Sequence, residues 1–157
     1  MENYLSVLED SLRKKLQILD ELTTYTTQQQ ELLKAEELDY AAFDQLVEKK
    51  DPLVQTIMEL DQGFETVYDR IKEQLLGHKE LYAVQIRTLQ NLISELTDKS
   101  VKLQAMEQRN KTTVEQQFRK SREKIRQGRQ NKQAALNYYK NMNHSDFVPP
   151  QYLDNKK

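Results

Sequence analysis

Apolar side chains recur at three- and four-residue steps along most of this chain, and no other feature constrains its fold as strongly. Such steps match the turn of an α-helix, so they place the apolar side chains on one face. The first run predicts a helix from about Glu2 to Lys34, which is roughly 50 Å long at 1.5 Å per residue. A stripe this narrow buries a seam between helices, as in a coiled coil. Its members are Leu5, Leu8, Leu12, Leu16, Leu19, Leu22, Thr26 and Leu33.

A second stripe predicts a second long helix. Asp39 is a suitable N-cap, because its carboxylate can accept from the unpaired amides of the first turn. Gly77 and His78 are expected to end the helix, since glycine readily adopts the left-handed conformation found beyond helix ends. Pro52 removes one internal hydrogen bond, and we expect a kink within one long helix there. The stripe comprises Tyr40, Phe43, Val47, Val54, Ile57, Leu60, Phe64, Tyr68, Ile71 and Leu75.

A third helix is predicted from about Leu81, and its apolar content falls after Met106. If the first and third helices both pack on the second, this decline coincides with a loss of neighbours. The run from Thr23 to Gln30 is predicted to be softened or water-exposed, because β-branched threonine is a mediocre helix former. The third stripe comprises Leu81, Val84, Ile86, Leu89, Leu92, Ile93, Leu96, Leu103 and Met106.

These elements predict an all-α fold. The breaks near residues 35–39 and 77–79 are short enough for helix hairpins, and three glycines and three prolines leave little material for the turns of a sheet protein. We expect an elongated antiparallel bundle of about three long helices with coiled-coil-like packing and a short C-terminal tail that is helical or flexible, with a short helical patch from Ala134 to Tyr139. Residues 1–126 would form the bundle domain, and residues 127–157 a partner-binding tail that is partly disordered or mobile. An intermolecular coiled coil is the alternative, although Lys15 and Lys50 make the stripes untidy for a dedicated parallel dimer.

Charge is unevenly distributed along the chain. Residues 1–100 carry 20 acidic and 11 basic side chains, whereas residues 101–157 carry 5 acidic and 13 basic ones. The two parts could attract each other or attract separate partners. Residues Arg119 to Lys132 form a basic run with seven basic side chains and one acidic one. Nucleic acid is disfavoured as its partner, because no aromatic platform interleaves with the basic run and the acidic part of the chain should repel a polyanion. A solvated helix face, an intramolecular partner and an acidic protein partner remain open.

The sequence offers no pattern for catalysis. It contains no Gly-rich phosphate loop, no Walker motif, no Cys/His metal spacing and no nucleophile elbow. His78 and His144 lie 66 residues apart. We therefore expect no enzyme activity and no cofactor or metal. The lack of cysteine and of any apolar run of signal-peptide or membrane-spanning length fits a soluble, cytoplasmic protein without membrane insertion.

Four of the twelve Phe and Tyr residues lie in the last 24 positions: Tyr138, Tyr139, Phe147 and Tyr152. Disorder is common at chain ends, but disordered ends are usually poor in aromatics. A bundle of three long helices offers these rings no obvious core to fill, and aromatic side chains are favoured anchors in partner grooves. The tail is therefore predicted to bind a partner. Two consecutive prolines predict an extended or disordered final segment, residues 147–157.

The segment LEDSLRKKLQILDELTTYTTQQQELLKAEELDYAAFDQLVEKKDPLVQTIMELDQGF resembles the opening hairpin of FlgN-type flagellar export chaperones. In that family a leucine-rich helix leads through an acidic break to an aromatic residue, paired lysines and a later Leu-Asp-x-x-Phe. The endings LNYYKN and YLDNKK are also similar to the family's. Pro52 departs from the pattern expected after the paired lysines. The matching residues are Phe43, Lys49, Lys50, Leu60, Asp61 and Phe64.

The resemblance implies a small cytosolic chaperone of the flagellar type III export system. Such proteins bind C-terminal helical segments of the hook-filament junction proteins FlgK and FlgL, prevent premature association, and deliver them to the export gate component FlhA. They hydrolyse no ATP themselves. The alternatives are a coiled-coil adaptor that self-associates weakly through the Leu5 to Leu22 stripe, and a FliT-like chaperone with a different client.

The resemblance also implies positions for the two kinds of contact. Client binding falls on the apolar face of the last helix and tail, and the gate-docking tyrosine corresponds to one of two adjacent tyrosines. The client-binding candidates are Val114, Phe118, Ile125 and Leu136. The candidates for gate or partner docking are Tyr138, Tyr139, Phe147 and Tyr152.

Truncation after Arg126 tests the predicted division of the chain into a folded bundle and a partner-binding tail. The bundle should remain folded, because its stripes end before the cut, whereas binding of the client or the gate should be lost. Circular dichroism would report the fold, and pull-down with each partner would report binding. Unchanged binding to both partners would contradict the assignment of the tail.

Overall fold

The computed structural model describes residues 1–120 and 125–144, which form four helices and, within these ranges, no strand. Helix α1 spans Glu2–Leu33, α2 spans Tyr40–Gly77, α3 spans Ala83–Lys120 and α4 spans Ile125–His144. The all-α prediction is confirmed, since three long helices pack together and a shorter one lies near the C-terminus. The predicted domain boundary at residues 126 and 127 falls inside α4, and the division into bundle and tail stays a prediction. The predicted extended segment, residues 147–157, lies outside the described residues.

Helix α1 is the central element, because it packs along both α2 and α3. The arrangement in which the first and third helices both pack on the second is therefore not the one observed, since α3 packs mainly on α1. The buried face of α1 is wider than the predicted leucine stripe, because it also includes Lys15, Ile18 and Gln29. This width allows α1 to contact two helices. Helix α4 packs mainly against α2 and to a smaller extent against α3. The buried residues of α1 are Leu5, Leu8, Leu12, Lys15, Ile18, Leu19, Leu22, Thr26, Gln29 and Leu33.

Two polar pairs show that α1 and α2 are antiparallel. Lys15 Nζ lies 2.7 Å from Asp61 Oδ1, and Lys50 Nζ donates to Gln29 Oε1 at 2.6 Å. Residue numbers rise along α1 as they fall along α2, which is the arrangement of a helix hairpin. The prediction of an antiparallel bundle is confirmed for this pair.

Helix α3 runs parallel to α1. Lys99 Nζ lies 2.8 Å from Asp20 Oδ1, and Gln117 Nε2 donates to the carbonyl of Ala35 at 3.3 Å. The second contact places the acidic turn between α1 and α2 beside the end of α3, where Lys120 belongs to the basic run. The acidic turn and the start of the basic run therefore lie at one end of the bundle, which favours an intramolecular role for their charges.

Local signals set the ends of α2. The Asp39 carboxylate accepts from the Ala42 amide at 3.1 Å, which confirms the predicted N-cap. The helix continues unbroken through Pro52, whose side chain is exposed. Water can therefore reach the carbonyl that loses its amide partner to the proline ring. Gly77 is the last residue of the helix, as predicted, but its backbone is not left-handed.

The threonine and glutamine run is an ordinary part of α1. The hydroxyl of Thr23 donates to the Leu19 carbonyl at 2.8 Å, so the polar group is satisfied within the helix. Thr26 and Gln29 are 0% and 1% exposed. The predicted water exposure is therefore wrong at Thr26 and Gln29, whereas Thr24, Thr27 and Gln28 are exposed on the opposite face. The predicted softening of the helix stays a prediction.

The third stripe enters the core later than its spacing predicts. Leu81 and Val84 are 69% and 77% exposed, because they lie beyond the end of α2 and before α3 has reached its neighbours. Leu89 is buried, and the stripe stays buried at Leu92 and Leu96. In the part of the chain that the structure describes, no helix is both long enough and apolar enough to cross a membrane.

Leu19 and Val7 form a matched pair for testing the core of α1. Leu19 is 0% and Val7 is 52% exposed. Leu19→Ala should lower the free energy of unfolding by about 2–5 kcal/mol, because it removes buried methylene groups and leaves a cavity. Val7→Ala should change it by less than about 0.5 kcal/mol. Urea denaturation measures both, and equal effects would contradict the packing of α1.

Candidate partner-binding site

A buried lysine lies where all four helices meet. Lys50 of α2 is 0% exposed, and its ammonium group donates to Gln29 Oε1 of α1 at 2.6 Å and to Glu107 Oε1 of α3 at 2.7 Å. The same nitrogen lies 4.2 Å from the ring centroid of Tyr138 of α4. These four residues, called the Lys50 cluster below, contribute one side chain from each helix.

Burial opposes the charge on Lys50. Loss of water lowers the pKa of the ammonium group, and the Glu107 carboxylate only partly offsets that effect. A buried ion pair of this kind is weak evidence for net stability, but losing one partner strands the other charge in the core. The Lys50 cluster therefore specifies which residues face one another. The sequence pattern did not reveal this role, since Lys50 only interrupted an apolar stripe.

Helix α4 buries a stripe against α2 and α3. Ala135, Tyr138, Tyr139 and Met142 are 1%, 1%, 5% and 6% exposed, and their spacing places them on one helical face. The two tyrosine rings meet edge to face with centroids 5.4 Å apart. The expectation that these two rings find no core is wrong, because α4 supplies a fourth helix that the sequence pattern only hinted at. Their predicted docking role stays a prediction.

The hydroxyl groups of Tyr138 and Tyr139 are neutral, and both lack a hydrogen-bond partner among the described residues. Burial, followed by the nearby Glu107 carboxylate, raises the pKa of both Tyr138 and Tyr139. Glu107 is close enough to act on the Tyr138 hydroxyl, yet their geometry falls short of a hydrogen bond. Because a hydrogen bond weakens steeply with poor alignment, the Tyr138 hydroxyl has no hydrogen-bond partner among the described residues.

Five buried polar atoms around the Lys50 cluster lack a hydrogen-bond partner among the described residues. Leaving such an atom unpaired costs about 1–3 kcal/mol, so α4 is held less tightly than its apolar contacts alone would suggest. These unpaired atoms can form hydrogen bonds if the packing of α4 changes. The atoms are Thr26 Oγ1, Gln29 Nε2, Glu107 Oε2, Tyr138 Oη and Tyr139 Oη.

The predicted client-binding residues do not share one accessible face. Val114 is 2% exposed and belongs to the core, whereas Leu136 on α4 is 37% exposed. Phe118 is half-buried and stacks on Tyr40, with ring centroids 5.5 Å apart. Ile125 begins α4, but its side chain lies outside the described part of the structure. The assignment of these residues to a client stays a prediction.

Phe147 and Tyr152, the remaining predicted docking aromatics, lie outside the described residues. In residues 1–120 and 125–144, no group of three or more His, Cys, Asp or Glu side chains is placed to hold a metal ion. The absence of enzyme activity stays a prediction from the sequence.

The fold and the site define a small all-α bundle protein with a polar group of side chains buried at its centre. A family model described as FlgN protein matches residues 1–145. The chain therefore belongs to the FlgN family, which confirms the resemblance seen in the sequence, and it is a flagellar export chaperone. No curated protein and no solved structure matches the chain.

Substitution of Lys50 tests the role of the cluster. Lys50→Met should lower the free energy of unfolding by about 3–5 kcal/mol, because it leaves the Glu107 carboxylate buried without its cation. The double variant Lys50→Met/Glu107→Leu should recover most of that loss. Chemical denaturation with circular dichroism measures each variant.

A surface ion pair provides the control. Lys34 lies 2.9 Å from Glu31, and both side chains are more than 60% exposed. Lys34→Met should cost less than about 1 kcal/mol. If Lys50→Met were as mild as Lys34→Met, or if the double variant were no better than Lys50→Met, the proposed coupling would be contradicted.

Proposed function

We propose that this chain binds the C-terminal helical segments of hook-filament junction proteins of the FlgK/FlgL type. It keeps them from associating prematurely and delivers them to the export gate component FlhA. The burial of the α4 stripe against α2 and α3 is the observation that carries this proposal. A surface that accepts one amphipathic helix at this spacing is suited to another.

A client helix would compete with α4 for that surface. On this proposal the truncation after Arg126, which removes α4, should abolish docking at the gate and leave the client-binding surface in place. Helix α4 leaves both tyrosine hydroxyls without partners in the described structure, which lowers the cost of removing it. Val114 lies seven residues after Glu107 on the same face of α3, and it is 2% exposed in the packed bundle. We infer that a client that replaced α4 would reach this residue. Leu136 faces solvent on α4 and is available to a client before any displacement.

The gate-docking role also requires α4 to leave its position on α2 and α3. Tyr138 and Tyr139 are buried, so neither can contact FlhA while α4 is packed. Client occupancy would expose both tyrosines, and the loaded chaperone would then be the form that docks. Acting on clients before their export places the chaperone in the cytoplasm.

Self-assembly through the first helix is the weaker candidate. The Leu5 to Leu22 stripe is already buried within the chain, since Leu5, Leu8 and Leu12 are 3%, 0% and 4% exposed. A homo-oligomer using this stripe would have to open the bundle. A FliT-like chaperone with another client differs from the proposed function only in the client.

Loosening α4 without altering the tyrosines tests the proposal. Ala135→Asp places a charge at a position that is 1% exposed, so it should release α4 and strengthen binding of a junction-protein C-terminal peptide about tenfold, equivalent to about 1.4 kcal/mol. Asn137→Asp adds the same charge on the exposed face and should leave binding unchanged. Isothermal titration calorimetry measures both affinities. Failure of the native chain and both variants to bind such peptides would refute the proposed client.

A further inference from the structure

One buried oxygen of the Lys50 cluster has no hydrogen-bond partner among the described residues, although a possible donor lies beside it. Glu107 is 4% exposed, and its Oε1 accepts from Lys50 at 2.7 Å. Within the described helices its second oxygen, Oε2, is unpaired, and so is the Tyr138 hydroxyl. Lys50 Nζ also lies 4.2 Å from the Tyr138 ring centroid, so the carboxylate and the ring are neighbours around one nitrogen. Helix α4 therefore covers the carboxylate without satisfying it.

The Lys50 ammonium group meets α4 through the face of a ring and not through an acceptor atom. An ammonium group has three N–H donors, and two of them are donated to Gln29 Oε1 and Glu107 Oε1. The face of the Tyr138 ring attracts the cation, but it offers the third donor no lone pair. A helix that replaced α4 would therefore face a donor of Lys50 and an acceptor of Glu107 at the same place.

The charges at this place restrict the side chain that could satisfy both groups. The ammonium group of Lys50 and the carboxylate of Glu107 cancel, so a charged side chain on the incoming helix would be buried without a counterion. The required group is neutral, and it must both accept and donate. A primary carboxamide does so with two separate atoms, because its oxygen accepts and its NH2 group donates.

Reach favours glutamine over the shorter polar side chains. Its amide carbon extends about as far from the backbone as the ring centre of a tyrosine, which here lies 4.2 Å from Lys50 Nζ. Since a C=O bond is about 1.2 Å long, an amide carbon at that point can place its oxygen about 3.0 Å from the nitrogen, a hydrogen-bond distance. Helical threonines bond to their own helix instead, as Thr23 does to the Leu19 carbonyl at 2.8 Å.

We propose that the surface under α4 selects a client helix that places a glutamine carboxamide against Lys50 and Glu107. This selectivity rests on the proposed function, because it requires a client helix in the place of α4. The register of α4 supplies the rest of the pattern. A small residue is expected three positions before the glutamine, and apolar residues one and four positions after it. Ala135, Tyr139 and Met142 hold these positions on α4, and each is at most 6% exposed.

Two variants of α4 test the selectivity in the full chain without any client. Tyr138→Gln places the carboxamide on the Lys50 cluster, and Tyr138→Leu places an apolar side chain of similar size there. Amide hydrogen exchange along α4 should be about tenfold slower in Tyr138→Gln than in Tyr138→Leu, which is the effect of one buried hydrogen bond. The order should reverse in chains that also carry Lys50→Met/Glu107→Leu.

The same two residues at an exposed position provide the control. Lys140 lies on the solvent side of α4, so Lys140→Gln and Lys140→Leu should give similar exchange rates along the helix. Circular dichroism confirms the helix content of every variant.

A second measurement uses C-terminal peptides of a junction protein as the probe. Each glutamine of the peptide is replaced by leucine in turn, and isothermal titration calorimetry measures binding to the native chain. One replacement should weaken binding about tenfold, equivalent to about 1.4 kcal/mol, and the others should have little effect. The Lys50→Met/Glu107→Leu chain should bind that leucine peptide at least as tightly as the parent peptide. Lys34→Met, on the exposed ion pair, should keep the native preference.

The two measurements separate the selectivity from the proposed function. Equal exchange in Tyr138→Gln and Tyr138→Leu, or a preference for glutamine that survives Lys50→Met/Glu107→Leu, would overturn the selectivity. Peptides that bind equally well with every glutamine replaced would also overturn it, while supporting the junction-protein client. Slower exchange in Tyr138→Gln, with no binding of any junction-protein peptide, would support the selectivity of the surface and refute that client.

Discussion

The buried Lys50 ammonium group has to be surrounded by oxygen atoms and an aromatic face, and this requirement determines how the four helices meet. Gln29 and Glu107 supply the oxygens at 2.6 and 2.7 Å, and the Tyr138 ring covers the nitrogen from α4. The ammonium group comes from α2 and its carboxylate partner from α3, so sliding either helix by one turn would strand a charge in the core. Sliding α1 or α4 would remove the amide oxygen of Gln29 or the ring of Tyr138. The ion pair adds little net stability, but it excludes alternative registers that the leucine seams alone would tolerate.

The bundle consequently has two unlike halves. Near the N-terminus three helices share an apolar core around Leu8, Leu75 and Leu89, each of which is at most 1% exposed. The half around Lys50 has a polar centre, a fourth helix and several unpaired buried atoms. Local opening draws on the regions with the weakest contacts, so movement in this chaperone is expected at α4 while the three long helices persist. That division suits a protein that has to hold a client and then release it.

Sequence patterns predicted the long helices well because helix formation depends on neighbouring residues. Periodicity located the stripes, and the Asp39 carboxylate cap is a contact within one turn. The failures have a common cause. Leu81 fits the helical period, yet it lies where no neighbouring helix remains to cover it. The sequence predicts no core for Tyr139, because the stability of a 20-residue helix comes mostly from tertiary packing. The surface on which α4 packs is formed by α2 and α3, which are distant in the sequence.

The sequence by itself determined the fold class, both ends of α2 and, through the family pattern, membership among flagellar export chaperones. Only the tertiary structure decided which helix is central, that Lys50 and Gln29 belong to the core, and that Tyr138 is buried. The physical reason is that a polar group can be buried only if another group satisfies it. Glu107 lies 57 residues from Lys50 along the chain, so the local sequence around the lysine does not predict that Glu107 is its partner.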